Sequence, residues 1–138
     1  MSRSTIRDFQ SATGIGQVVE SWASSYGFGL VGTDPDGTRT YVNDRVVAYG
    51  ANPIAAELAQ ALANRTKTLR IVRINQVGYQ VHIETWLRFS RGLRAMTLFT
   101  VPAQMGIEGG GFAQRMERSD TRKLVNPLLI QLGQPPIK

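Results

Sequence analysis

The chain has 138 residues, 42% of them hydrophobic, and no cysteine; this is one domain's length with enough apolar material for a core, and it excludes disulfides, thiolate catalysis and cysteine-based zinc sites. The net charge is +6, with 13 arginines against 3 lysines. Residues 1–64 hold four arginines against six acids, a net of −2, whereas residues 65–138 hold twelve basic residues against Glu84, Glu108, Glu117 and Asp120, a net of +8.

Residues 5–26 have helical spacing, with Ile15, Val18, Val19, Trp22 and Tyr26 on one stripe. Gly14, Gly16 and the serines weaken that pattern, so the segment reads as a short helix or a loose arm, ended by Gly27 at the C′ position. A hairpin follows. Phe28–Thr33 and Thr38–Val42 flank Asp34-Pro35-Asp36-Gly37, in which proline presets φ and glycine supplies φ > 0. Asn43-Asp44 makes a second turn before Arg45–Tyr49, a third strand. Segment 52–64 is read as helix from its alanines and its Asn52-Pro53 start, although the alternation of Ile54, Ala56 and Leu58 also permits a strand.

From Thr66 to Val101 the sequence predicts a meander of three strands. Thr68–Asn75 turns at Gln76-Val77-Gly78 into Tyr79–Phe89, and Ser90-Arg91-Gly92 turns that strand into Leu93–Val101. Along Tyr79–Phe89, Val81, Ile83, Leu87 and Phe89 share one face, and His82, Glu84, Trp86 and Arg88 share the other. Gly106 and Gly109–Gly111 read as a flexible joint. Beyond it the pattern predicts two helices, Phe112–Arg118 and Asp120–Leu132, divided by Ser119 as an N-cap. There is no internal repeat and no second domain. The N-terminus lacks the apolar run of a signal peptide and no stretch is apolar enough to span a membrane, so the expected compartment is the cytoplasm.

Catalytic chemistry is hard to assemble from these residues. His82 is the single histidine, which cannot form a metal cluster alone, and no carboxylate pair has useful sequence spacing around it. Gly109–Gly111 lacks the Lys-Ser/Thr of a phosphate-binding loop. The expectation is a non-enzymatic protein with no cofactor, no metal and no small-molecule substrate. The basic strands carry more information. Between Arg65 and Arg94 seven basic residues face one acid, Glu84, and they are interleaved with apolar residues such as Ile71, Val72, Ile83 and Trp86. A folded sheet displaying arginines suits phosphates, and an exposed tryptophan beside them can stack a base. A GC-rich coding sequence would also favour arginine over lysine.

The order of elements resembles that of the coat proteins of single-stranded RNA bacteriophages. The cues are Gly29–Gly37 as the first hairpin, Thr68–Gln76 as a basic strand, Tyr79–Glu84 as its partner and Met96–Pro102 ahead of the helices. The likeness covers roughly residues 28–137 and is one of layout. It implies an α+β fold in which an antiparallel sheet with an N-terminal hairpin and a C-terminal helical pair forms a homodimer with a continuous sheet. Helices of each subunit lie over the other, and dimers assemble into a shell whose inner face binds genomic single-stranded RNA. Carried onto this chain, the RNA face takes Arg70, His82, Trp86, Arg88 and Arg94, with a one-residue slip exchanging Arg70 for Arg73. The dimer interface takes Leu124, Val125, Leu128, Leu129 and Leu132, with Gly109–Gly111 freeing the helices to reach a second subunit. The location implied is the virion, after synthesis in a bacterial cytoplasm. Residues 1–26 have no counterpart in the family, the Ser90-Arg91-Gly92 turn is shorter than the family's loop there, and residues 54–63 would be extended.

Overall fold

The computed structural model describes residues 3–44, 68–89, 103–109 and 115–138. In chain order these form strand β1 (Thr5–Gln10), helix α1 (Gly16–Tyr26), strands β2 (Gly29–Thr33), β3 (Arg39–Asn43), β4 (Thr68–Val77), β5 (Gln80–Phe89) and β6 (Gln104–Met105), and helix α2 (Arg115–Gln131). The fold is α+β: an antiparallel sheet of order β1-β5-β4-β3-β2, with β6 also on β5, and two helices. The remaining expectations, a strand over 45–49, a helix or strand over 52–64, a strand over 93–101 and the start of the first C-terminal helix at 112–114, lie outside the described residues.

Turn chemistry sets the middle of the sheet. The β2–β3 connection has Gly37 at φ +89, its N–H donating to Asp34 O at 2.9 Å, while the Thr38 N–H donates to Asp36 Oδ1 at 2.9 Å. The β4–β5 connection is two residues long, Gly78-Tyr79, with Gly78 at φ +60 as such tight hairpins require. Alternation then sorts the side chains of β5 as its sequence predicts: Val81, Ile83, Leu87 and Phe89 are buried, and His82, Glu84, Trp86 and Arg88 face the other way.

Both helices lie against the first of these faces. One core cluster joins Val19, Trp22 and Ala23 of α1 and Val125, Leu128 and Leu129 of α2 to Tyr41, Val72, Ile74, Val81, Ile83, Leu87 and Phe89 of the sheet. Trp22 is at its centre, fully buried, stacked on Phe28 at a ring separation of 4.5 Å and edge-on to Tyr41 at 6.2 Å. Gly27 ends α1 at φ +76 as read from sequence, and the Phe28 N–H returns to Ala23 O at 2.9 Å. The start of α1 has no capping side chain of its own. Gln76 of β4 serves instead, accepting from the Ile15 N–H at 3.0 Å and donating to Thr13 O at 2.9 Å.

Two sequence expectations change here. Residues 5–10 are not helix or arm but a strand along the edge of β5, with Thr5 opposite Thr85 and Gln10 opposite Gln80. Its Phe9 packs on the core and the Thr5 hydroxyl accepts from the Ile107 N–H at 2.9 Å. Second, α2 runs unbroken through Ser119, with Pro127 inside it; the Ser119 N-cap that would divide two helices is absent. Within the single chain, α2 packs on the sheet. Arg118 donates to the carbonyls of Glu108 and Gly109 at 3.1 and 3.0 Å, and Arg122 to those of Ile107 and Gly109 at 2.7 and 3.1 Å. Burial, then repulsion by Arg122 and Arg115, pushes the pKa of the Arg118 guanidinium below its ordinary value. Val125, Leu128 and Leu129 are thereby buried inside the single chain, with Leu124 and Leu132 packed beside them.

Candidate nucleic-acid interface

With both helices on one side, the second face of the sheet carries no helix among the described residues. Register fixes what it displays. On β5 the outward positions are Gln80, His82, Glu84, Trp86 and Arg88; opposite them on β4 stand Val77, Asn75, Arg73, Ile71 and Leu69. β1 adds Ile6 beside Glu84 and Asp8 beside His82, β3 adds Thr40 beside Arg73 and Val42 beside Ile71, and β6 adds Gln104 beside Arg88.

The sequence-predicted residues divide accordingly. Arg73, His82, Trp86 and Arg88 share this face, which no described helix covers. Arg70 does not: it is opposite Leu87, on the helix-covered side, and only 4% exposed. β4 has apolar residues on both faces, Leu69 and Ile71 on one and Val72 and Ile74 on the other, so its alternation could not fix the register. The pairing with β5 does. Arg94 lies outside the described residues.

Trp86 is the centre of a small apolar strip. It is half-buried, with Ile71 across from it and Val42 beyond. Ile71 is 7% exposed yet belongs to this side and not to the core cluster. Arg88 is exposed at the end of the strip, opposite Leu69. An indole set in an apolar strip with a guanidinium next along the strand is a surface on which a planar base can stack while its phosphate meets a cation.

The rest of the face alternates in sign. Arg73 Nη2 is 2.5 Å from Asp34 Oδ2, and its register partner on β5 is Glu84. His82 Nδ1 is 2.5 Å from Asp8 Oδ1, and its Nε2 is 4.0 Å from Glu84 Oε2. The sequence reading missed Asp8 because the strand that carries it lacked an apolar stripe. Those two carboxylates lie at opposite nitrogens of the ring and do not converge on one point, and among the described residues no group of three or more acidic or histidine side chains could hold a metal ion. Arg73 and Arg88 are therefore outnumbered by Asp8, Asp34 and Glu84. Residues 45–67 and 90–102, outside the described residues, contain Arg45, Arg65, Lys67, Arg91 and Arg94 against Glu57 alone.

Among the described residues no helix is long and apolar enough to cross a membrane. No family model, curated protein or solved structure matches the chain.

Proposed function

We propose that this protein is a structural, coat-type subunit that dimerises, assembles into a shell and binds single-stranded RNA on the open face of its sheet. The observation that carries the reading is the one-sidedness of the sheet: both described helices cover one face, and the other presents Trp86 and Arg88 beside Arg73 and His82. Phosphate contacts would supply most of the affinity and make it fall with salt, and Trp86 would stack bases without reading their sequence. The proposed RNA contacts are Arg73, His82, Trp86 and Arg88; Arg70 is dropped because it lies on the helix side.

A coat-like dimer also has to accommodate α2. Here its leucines pack on the chain's own sheet. In a dimer of the kind the layout suggests, α2 would make the same contacts with the partner's sheet, an exchange that changes the connectivity and keeps the contacts.

Expression and sizing test this directly. Large, uniform, nuclease-resistant particles containing RNA are the expected product. A dimer that copurifies with RNA but never assembles would reduce the function to that of a small nucleic-acid-binding protein. A species free of nucleic acid and indifferent to salt would sink both.

A further inference from the structure

His82 stands between carboxylates from two strands, and it is the chain's single histidine. Asp8 reaches its Nδ1 from β1 and Glu84 its Nε2 from its own strand, while its partner on β4 is the neutral Asn75. The cations nearest in register are Arg73, opposite Glu84, and Arg88, beyond Trp86 on β5; the neighbouring Arg7 of β1 belongs to the other face, where it pairs with Glu108 at 3.1 Å. Neither described helix contributes a charge to this side. The imidazole is 44% exposed, so a ligand on the open face can reach it.

With a neutral imidazole, Asp8, His82 and Glu84 together carry −2. A proton on the ring turns both flanking contacts into ion pairs and halves that charge. Counting Arg73, Arg88 and the Asp34 carboxylate paired with Arg73, the described part of the face passes from −1 to neutral. We propose that RNA binding on this face takes up a proton at His82, which makes the affinity pH-dependent: tighter in mildly acidic solution, weaker in mildly alkaline solution. The inference rests on the RNA reading above and adds its regulation. A phosphate brought beside the ring favours the charged form, and by linkage the charged form favours the phosphate. One linked proton strengthens binding by at most about tenfold for each unit by which the pH falls.

Fluorescence anisotropy of the full chain with a short labelled oligouridylate, at constant ionic strength between about pH 6 and about pH 8, reads this out. The wild type is expected to bind several-fold more tightly at the acidic end. His82→Asn should bind with a flat profile, and Asp8→Asn should bind more tightly than wild type at the alkaline end, where a repelling charge has gone. Calorimetry of the wild type in two buffers of different ionisation enthalpy counts the proton without any variant. A flat wild-type profile, zero proton uptake or an unchanged slope in His82→Asn overturns the inference and leaves RNA binding standing. Failure of the oligouridylate to bind at any pH overturns the RNA reading and the inference together.

Discussion

The indole Nε1 of Trp22 donates to the main-chain carbonyl of Leu124 at 2.8 Å, tying α1 to α2 across 102 residues of sequence. Trp22 also fills the centre of the core against Phe28 and Tyr41. One side chain thus holds both helices on the same face of the sheet. Trp22→Phe keeps an aromatic ring but loses the donor and part of the volume. A loss of about 1–3 kcal/mol in unfolding free energy is expected, measured by urea denaturation, with faster amide exchange in α2 than in β5.

Gly106 follows β6 at a point where the chain crosses β1. A Cβ there would sit 2.8 Å from Thr5 Oγ1 and 3.0 Å from the Ser4 carbonyl carbon, and the second contact is main chain that cannot rotate away. Gly106→Ala should destabilise by about 1–3 kcal/mol and loosen β1 from β5, seen as lost amide protection over Thr5–Gln10. A protein of unchanged stability would mean that β1 has room to move outward.

The open face makes a separable prediction. Trp86→Ala should weaken binding of single-stranded RNA by about 1–3 kcal/mol at all salt concentrations, whereas Arg88→Glu should weaken it and also flatten the salt dependence. Arg88 is exposed, so its variant should keep a thermal midpoint close to wild type, whereas Trp86→Ala also loses packing against Ile71 and should lower the midpoint while keeping the wild-type circular dichroism. Equal RNA affinity in both variants would move any nucleic-acid site off this face.

Acid should weaken the β2–β3 turn. The Thr38 main-chain N–H, followed by the Thr38 hydroxyl, holds the Asp36 carboxyl below its ordinary value of 3.8. A carboxylate depressed in the folded state contributes stability above the ordinary value and loses it as pH falls through the lowered one. The turn's contribution is therefore intact at neutral pH and lost only below about pH 4. Asp36→Asn should bring the denaturation midpoints of variant and wild type together at low pH and leave them apart at neutral pH.

Legibility in the sequence followed how locally each feature is determined. Asp34-Pro35-Asp36-Gly37 and Gly27 act through their own backbone angles, and both turn out as read. The alternation of β5 is legible because only one face of that strand is apolar. β1 was hidden because Thr5, Arg7 and Phe9, its core-side residues, include one charge and one hydroxyl; the partners that satisfy them, Glu108 and the Ile107 N–H, lie about a hundred residues away. A separation of 74 residues concealed the His82–Asp8 contact in the same way, whereas Trp86 and Arg88 were readable from a single strand. Ser119 looked like a helix start because a serine's capping and interior roles have the same local sequence, and the choice is made by Arg118 and Thr121 on either side, both buried under the fold.

β1 and β6 lie end to end along one edge of β5, Thr5–Gln10 covering its residues 80–85 and Gln104–Met105 its residues 87–88. Synthesis delivers those two pieces at very different times. By the time β5 leaves the ribosome, β1 is long available to pair with it, but Leu87 and Arg88 wait for a stretch made later. A nascent chain stalled between these points would hold an incomplete sheet edge next to its most basic strands. A translation pause after Phe89 therefore leaves that short stretch of edge open to misassociation with a neighbouring chain.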